Sequence, residues 1–312
     1  MTPRLRAFAA VAALLAVSAL AAGVRAEKAQ TQDASPQRPT FRAATDIVRV
    51  DVSVRDGRRG VTGLTAADFA VTDNGVPQRV VDVSYGRLPI DVTVALDVSY
   101  SVTGALLDQL RTAVRQLMSD LGPDDRLKLV SFNMRVTRVV DLTGDAGAVE
   151  QAIGQVAAGG GSSIWDAAAV SLVSASAATA DRRQLVVLFT DGADSTSLAT
   201  PDSVADVAQR TNASVTAVLP DGLFPAQGRV VVARRSPLAP FQRLAAETGG
   251  TVLASGSNLT STFRRALEEF RSSYVLHFTP QGVPPAGFHA LTVSVPRDRG
   301  FTIRARRGYF GG

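Results

Sequence analysis

The chain has 312 residues, no cysteine and a formal net charge of +5, so it forms no disulfides and carries no lipid-modified cysteine anchor. Its only lysines, Lys28 and Lys128, lie in no G-x-x-x-x-G-K-[ST] sequence, which excludes a P-loop nucleotide site. A histidine zinc site or a Ser-His-Asp triad would need His277 or His289, and no G-x-S-x-G elbow accompanies either residue. We therefore interpret both histidines as ordinary strand residues.

The first element in the chain is a predicted secretory signal peptide over residues 1–26. Arg4 and Arg6 precede a largely apolar stretch, residues 7–22, and a small-residue cleavage pattern ends at Ala26. The alternative is an N-terminal membrane anchor, but the apolar stretch is shorter than the roughly 20 residues that a membrane-spanning helix needs. We expect cleavage after Ala26 and an exported protein.

A polar segment with two prolines, residues 27–42, follows and is predicted to be a flexible linker. Removal of the leader takes away three arginines, so the mature chain has 30 basic and 28 acidic residues, a balance of +2. No basic tract is interleaved with aromatic residues, and nucleic acid is therefore not an expected partner.

The next region, residues 43–87, is predicted to be a small β unit. Apolar and polar residues alternate over 46–55, as in a strand with one buried face. Over residues 68–85, two further strands are expected around Asp73-Asn74-Gly75, which is a strong hairpin signal.

Between residues 88 and 272, strand-like and helix-like segments alternate. Strands are predicted at 90–97, 127–133, 184–191, 214–220 and 251–255, with 135–143 as an antiparallel edge strand beside 127–133. Helices are predicted at 103–121, 146–157, 165–178, 201–211, 238–248 and 258–272. This alternation predicts a Rossmann-like α/β fold, a doubly wound and mostly parallel sheet with helices on both faces.

After this region the β pattern returns, and residues 273–312 are predicted to form three strands, "YVLHFTP", "FHALTVSVP" and "FTIRARRGYF". These strands could complete the N-terminal β unit, because the two flanks of an α/β domain can lie close together.

Polar side chains follow two of the predicted parallel strands. Asp97, Ser99 and Ser101 form an Asp-x-Ser-x-Ser pattern where the first strand ends, and Asp191 ends another strand. Binding sites in open parallel sheets form at this edge. A glycine-rich segment, "GGGSSIWDAA" over 159–168, adds further hydroxyls. Oxygen donors with few carboxylates are typical of a Mg²⁺ or Mn²⁺ site.

This constellation resembles the von Willebrand factor type A domain and its metal-ion-dependent adhesion site. The resemblance implies that one divalent cation is held by Asp97, Ser99, Ser101, Ser162 and Asp191. Ser162 stands where the family pattern has threonine, and the sequence leaves open whether it or Ser163 is the ligand. Serine keeps the hydroxyl but lacks the methyl group that helps to fix the rotamer.

The flanks of the domain also resemble those of a secreted bacterial subfamily of type A-related proteins. The similar segments are residues 61–78, 266–280 and 301–310, so that the resemblance extends over roughly 43–310.

Other residues near the predicted site have simpler interpretations. We expect Trp165 to pack under the loop, and we favour packing for Tyr100 as well, with contact to a partner as the alternative. Asp166 is expected to interact with the dipole of its own helix. Asp194 and Ser195 could support the metal ligands or could form only a polar turn.

The function expected from these features is an exported, non-enzymatic, adhesion-type module. It would bind a protein partner by accepting its Asp or Glu carboxylate at the Mg²⁺ or Mn²⁺ ion, in the periplasm, at the cell surface or in the medium. No transmembrane segment is expected in the mature chain.

Two alternatives remain at this point. One is a structural component of the envelope in which the metal site is vestigial. The other is a hydrolase or phosphatase with Asp97 as the nucleophile. The second is disfavoured because Ser99 stands where a general acid would be expected and no lysine is placed to hold a phosphate.

Overall fold

The computed structural model describes residues 47–86, 88–176, 181–224, 237–297 and 300–312. The predicted signal peptide, residues 1–26, and the predicted linker, residues 27–42, lie outside the described residues. Within the described part of the chain, no helix has the length and apolar character needed to cross a membrane.

Fifteen strands and six α-helices make up this part of the chain. The strands are β1 (Val48–Asp56), β2 (Arg59–Gly60), β3 (Ala70–Asp73), β4 (Val76–Gln78), β5 (Val80–Tyr85), β6 (Ile90–Asp97), β7 (Arg126–Phe132), β8 (Val136–Thr143), β9 (Arg183–Phe189), β10 (Ala213–Leu219), β11 (Thr251–Ala254), β12 (Tyr274–Phe278), β13 (Gly287–Ser294), β14 (Thr302–Ala305) and β15 (Gly308–Gly311). The helices are α1 (Ala105–Ser119), α2 (Ala146–Gly154), α3 (Ile164–Ser176), α4 (Pro201–Gln209), α5 (Ala239–Thr248) and α6 (Leu259–Arg271).

The central sheet has six strands in the order β11-β10-β9-β6-β7-β8. All pairs in it are parallel except β7 with β8, which is antiparallel. Every residue of β6, β9 and β10 is buried, as expected for parallel strands covered on both faces. The predicted α/β fold and its antiparallel edge strand are therefore confirmed.

Helices cover both faces of this sheet, because successive strand residues point to opposite sides. On one face, Val92, Val94 and Leu96 of β6 belong to a core that includes α1, α2 and α6. On the other face, Ala95 of β6 belongs to a core that includes α3, α4 and α5. The six predicted helices are present, and their ends differ from the predicted ones by a few residues at most where the structure describes them.

Strands from the two ends of the described chain pair with one another in two flanking sheets. In the first sheet, β12 lies between β1 and β5, and β1 also pairs with β14 and β2. In the second sheet, β13 lies between β15 and β3, and β3 pairs with β4. The hairpin predicted at Asp73-Asn74-Gly75 is confirmed, with positive φ at Asn74 and Gly75.

Two details of the flanking strands were predicted wrongly. The segment after the hairpin turn is two strands, β4 and β5, which lie in different sheets. The last predicted strand is also two strands, β14 and β15. The break in this last case follows from Arg306, whose buried guanidinium turns away and donates hydrogen bonds to Gly308 O at 2.7 Å and Asn212 Oδ1 at 2.8 Å.

Buried arginines connect the flanking strands to the α/β core. Arg183, at the start of β9, is fully buried and donates to Asp51 Oδ1 of β1 at 2.6 Å. Arg306 reaches Gln209 O, at the end of α4, at 3.0 Å. Burial lowers the pKa of Arg306 to about 10. Desolvating a guanidinium is costly, so its hydrogen bonds to the core are needed to stabilise it there.

Candidate functional site

The deepest residue of the site is Asp97, the last residue of β6, whose side chain is fully buried. Its Oδ2 atom accepts hydrogen bonds from the hydroxyls of Ser162 and Thr190, both at 2.7 Å. Its Oδ1 atom accepts from the backbone N–H of Ser99 at 2.9 Å. The strand end therefore carries a carboxylate whose orientation is fixed by three donors.

A second group of hydroxyls and a carboxylate lies beside Asp97. Ser99 Oγ is 3.1 Å from Ser101 Oγ, and Ser101 donates a short hydrogen bond to Asp191 Oδ2. The other carboxylate oxygen of Asp191 accepts from Ala193 N at 3.0 Å. The backbone N–H of Ser99 joins this group to Asp97.

The structure thus brings together all five side chains that were predicted as site residues. Three loops supply them: the one after β6, the one before α3 and the one after β9. The parallel pairing of β6 with β9 is what places the first and third loops at the same edge of the sheet.

Ser162 and Ser163 are both buried but make different contacts. The Ser162 hydroxyl contacts Asp97, whereas Ser163 Oγ lies 2.7 Å from Thr196 Oγ1. The backbone N–H of Ser163 donates to Asn133 O at 2.8 Å. Of the two hydroxyls, that of Ser162 therefore belongs to the predicted site.

Thr190 is a site residue that the sequence analysis missed. Besides its bond to Asp97, its hydroxyl accepts from Gly192 N at 3.1 Å, so it joins the end of β6 to the turn after β9. The sequence feature that could have identified Thr190 is its position directly before Asp191, where a buried strand ends.

The glycine-rich loop before α3 lies directly against the Asp-x-Ser-x-Ser loop. Gly160 has φ of +85°, and its carbonyl accepts from Tyr100 N at 3.0 Å. A Cβ atom at Gly161 would lie 2.8 Å from Ser195 Oγ, so no larger residue fits there without displacing that hydroxyl.

The segment after Asp191 holds this loop in place, and we name it the clamp segment, residues 194–199. Asp194 Oδ1 accepts from Ile164 N at 2.8 Å and so caps the start of α3. Ser195 Oγ accepts from Ser162 N at 2.9 Å. Both residues therefore support the site through the backbone, which answers the question that the sequence left open. Neither the Asp194 carboxylate nor the Ser195 hydroxyl contacts Asp97 directly.

Asp166 has a more specific role than the predicted interaction with its helix dipole. It accepts hydrogen bonds from Leu198 N at 3.1 Å and Ala199 N at 2.7 Å. The first turn of α3 thus accepts hydrogen bonds from the clamp segment through Asp166 and donates one to it through Ile164 N.

The two aromatic predictions have opposite outcomes. Trp165 is buried and its ring lies 4.9 Å from that of Phe241, so its predicted packing role is confirmed. Tyr100 is 76% exposed, so the favoured prediction that it packs is wrong and the alternative, contact with a partner, stays a prediction. Val98 and Val102 on either side of it are buried, which leaves Tyr100 on the outer face of the loop.

A comparison of sequences connects this geometry to a known family. Residues 91–227 match the sequence profile of the von Willebrand factor type A domain. The chain contains a type A domain. The predicted family resemblance is thereby confirmed for this region of the chain.

Two curated relatives are similar to this chain over part of their length. The uncharacterized protein sll0103 of Synechocystis sp. is 31% identical over 108 residues, which are 34% of this chain and 26% of that protein. Inter-alpha-trypsin inhibitor heavy chain H4 of Sus scrofa is 29% identical over 176 residues, which are 52% of this chain and 18% of that protein. The chain thus spans about a quarter or less of the length of these relatives.

Among solved structures, the chain is similar to an aerotolerance-related membrane protein from Bacteroides fragilis that carries multiple mutations to serines. The two are 18% identical with a TM-score of 0.46, and the alignment covers 58% of this chain and 98% of that one.

The five predicted side chains fit a divalent cation. They supply two carboxylates and three hydroxyls, all oxygen donors, which suit a hard ion such as Mg²⁺ or Mn²⁺. In the described part of the chain, no group of three or more His, Cys, Asp or Glu side chains is arranged to hold a metal. A metal at this edge of the sheet would therefore depend on the serine hydroxyls as well as on the two aspartates.

Proposed function

We propose that this protein is an exported, metal-dependent protein-binding module, with the cation held at the edge of the type A domain. The observation that supports this function best is the convergence of five oxygen-bearing side chains from three loops. Each of the five is hydrogen-bonded to another member of the set. Type A domains are protein-interaction modules in general, and the metal-dependent step is the specific part of the proposal.

The residues proposed to hold the cation are Asp97, Ser99, Ser101, Ser162 and Asp191. Only two of them carry negative charge, so the protein itself supplies few charged ligands for a divalent ion. When bound, the cation would supply a positive centre that can accept a carboxylate oxygen of a partner.

The contributions of the chain's own residues follow from their contacts. Thr190 and the Ser99 backbone N–H fix the orientation of the buried Asp97 carboxylate. Ala193 N fixes one oxygen of Asp191 and leaves the other directed at Ser101. Such prior orientation reduces the entropy lost when a ligand binds.

A structural role without a cation is the competing function, because Ser162 stands where the family pattern has threonine. An enzymatic role has less support, since His277 lies in β12 and His289 in β13, both in the flanking sheets.

Export rests on the sequence of residues 1–26 alone, with periplasm, cell surface and medium as the proposed destinations. N-terminal sequencing of the protein recovered outside the cytoplasm should show Glu27 as the first residue. A chain that stays in the cytoplasm with Met1 intact would contradict export.

Metal binding is tested by calorimetric titration of the purified mature protein with Mg²⁺ and with Mn²⁺. Wild type should bind one ion, and Asp97→Ala should abolish binding. Because Asp97 is buried and has three donors, this variant could fail to fold, so Asp191→Ala and Ser101→Ala are measured beside it. Circular dichroism checks that each variant is folded. A folded wild type that binds neither ion would favour the structural role.

Binding to a partner is tested by capture from an envelope extract, in Mg²⁺ and in excess EDTA. A partner should be retained only in Mg²⁺, and Ser99→Ala should weaken its binding. Chelation and the mutation should not be additive, because both remove one shared element. A partner retained equally in EDTA would show that the metal site is not the point of contact.

A further inference from the structure

Three large apolar side chains are exposed around the proposed metal site. Tyr100, Met134 and Leu198 have exposed fractions of 76%, 62% and 94%. Each lies on a different loop: the one after β6, the one between β7 and β8, and the clamp segment. Together they form what we name the apolar rim.

Two members of the apolar rim contact the loop that carries Ser162, and the third, Leu198, contacts the first turn of α3 directly after that loop. Tyr100 donates its backbone N–H to Gly160, and Leu198 donates its own to Asp166 at 3.1 Å. Met134 lies over the same loop, since its Cγ atom would be 3.5 Å from a Cβ atom at Gly160. The rim is therefore held at the same edge of the domain as the site.

A cationic residue stands directly next to the rim. Arg135 is exposed and makes no ion pair with any other residue that the structure describes. Its neighbour Asn133 holds the backbone of this turn through its side-chain Oδ1, which accepts from Arg135 N at 3.0 Å. An unpaired guanidinium attracts acidic groups and increases the rate of their association.

From these observations we propose that the partner presents an Asp or Glu side chain flanked by large apolar side chains, in an exposed loop. This inference rests on the proposed function, because the carboxylate is the group that would meet the cation. The apolar rim would bury the flanking side chains, and Arg135 would favour the acidic loop over neutral ones. Exposed apolar patches mark interaction sites, and tyrosine and arginine are enriched among the residues that supply most of the binding energy of an interface.

The test uses a phage-displayed library of disulfide-constrained loops, selected on the mature protein in Mg²⁺ and eluted with EDTA. The eluted sequences should be enriched in Asp or Glu with a large apolar residue within two positions of it. Acidic sequences without apolar enrichment would overturn the rim's role and leave the metal site intact. If nothing is eluted by EDTA, the inference is also overturned, and the titration with Mg²⁺ then shows whether the metal site itself is absent.

Single variants of the rim provide a second measurement on a selected loop peptide. Leu198→Ala and Tyr100→Ala should each weaken peptide binding by about tenfold and leave Mg²⁺ affinity unchanged. The matched control is Val81→Ala, at an exposed apolar residue of β5 in the flanking sheet, and it should change neither value. Equal peptide affinity in wild type and both rim variants would overturn the proposal.

Discussion

Two adjacent serines differ in role although the sequence does not distinguish them. Ser162 donates to Asp97, whereas Ser163 contacts Thr196, one position further around the loop. Substituting each serine in turn is therefore a matched test of the metal site. The two residues have the same side chain, are both buried and are adjacent in the chain, and only the direction of the hydroxyl differs.

We expect Ser162→Ala to weaken divalent-ion binding by at least about tenfold, because it removes the hydroxyl beside Asp97. Ser163→Ala should leave the affinity within about twofold of wild type. Isothermal titration with Mn²⁺ measures both. A greater loss of affinity in the Ser163 variant would show that the assignment of the two serines is reversed.

Thr190 gives a second prediction at this scale. Thr190→Val keeps the shape of the side chain but removes one of the three donors to Asp97 and the hydroxyl that accepts from Gly192 N. The free energy of unfolding should fall by about 2 kcal/mol, the cost of unsatisfied buried polar groups. Urea denaturation measures this, and Thr190→Ser, which keeps the hydroxyl, is the control. Equal losses in both variants would mean that packing of the methyl group is the cause.

The sequence identified the residues that form a local motif and missed those that depend on tertiary contacts. Asp97, Ser99 and Ser101 are recognisable because their spacing lies within one turn of chain. Thr190 acts on Asp97 across 93 positions, which no local pattern encodes. Tyr100 was misjudged because its exposure depends on which face of the loop is outward, and that is set by the burial of Val98 and Val102.

At the level of elements, the clamp segment and α3 depend on each other. Asp194 caps the first residue of α3, and Asp166 in the first turn of α3 accepts from the clamp segment. The loop with Ser162 lies between these contacts. Its position should therefore respond to changes at residues that do not themselves contact Asp97.

We expect Asp194→Ala to lower the free energy of unfolding by about 1 kcal/mol through loss of the helix cap. It should also weaken Mn²⁺ binding, because Ser162 loses part of its support. Asp145→Ala is a matched control, since Asp145 caps α2 by accepting from Gly147 N at 2.8 Å and lies outside the site. The control should lose similar stability at unchanged metal affinity. An unchanged metal affinity in Asp194→Ala as well would show that the clamp segment is only structural.

Whole elements were predicted well where hydrophobic periodicity is strong. The β6 and α1 segments are long, apolar on defined faces and ended by clear signals, such as the Gly-Pro pair at 122–123 after α1. The short flanking strands were predicted less well. Whether β4 and β5 continue one another depends on which sheet each of them joins, and the partners lie near the other end of the chain.

For the molecule as a whole, the pH dependence of stability should depend on one buried carboxylate, which lies at the end of the central sheet opposite the site. Asp91, near the start of β6, accepts hydrogen bonds from Arg126 at 2.9 Å, Arg182 at 2.8 Å and Gln184 at 3.2 Å. Burial acts to raise the pKa of Asp91, but these hydrogen bonds outweigh it and hold the pKa below its usual range. The ionised form is therefore favoured in the folded state.

A lowered pKa in the folded protein stabilises it above the pKa of the unfolded chain, about 3.9, and this contribution is lost as pH falls through the folded-state value. Asp91→Asn should cost about 2 kcal/mol at neutral pH, because two arginines lose their charged partner. It should also reduce the loss of stability on acidification below about pH 4. Urea denaturation at neutral pH and through this acidic range measures both effects.

The control for this pH dependence is Asp206→Asn, at an exposed aspartate of α4, which should follow the wild-type curve. If Asp91→Asn and wild type lose stability in parallel on acidification, other carboxylates are responsible for the acid sensitivity.

The pairing of β1 with β12 and β14 has a consequence for the order in which this protein can fold. The first strand of this flanking sheet leaves the ribosome more than 200 residues ahead of these two partners, as the pairing of Val50 with Leu276 shows. Until then the exposed edge of β1 is open to pairing with other chains. The α/β core can form earlier, since its strands and helices lie in one continuous stretch of sequence. The slow step in folding is therefore expected to be the closing of this flanking sheet, after β12 and β14 have been synthesised.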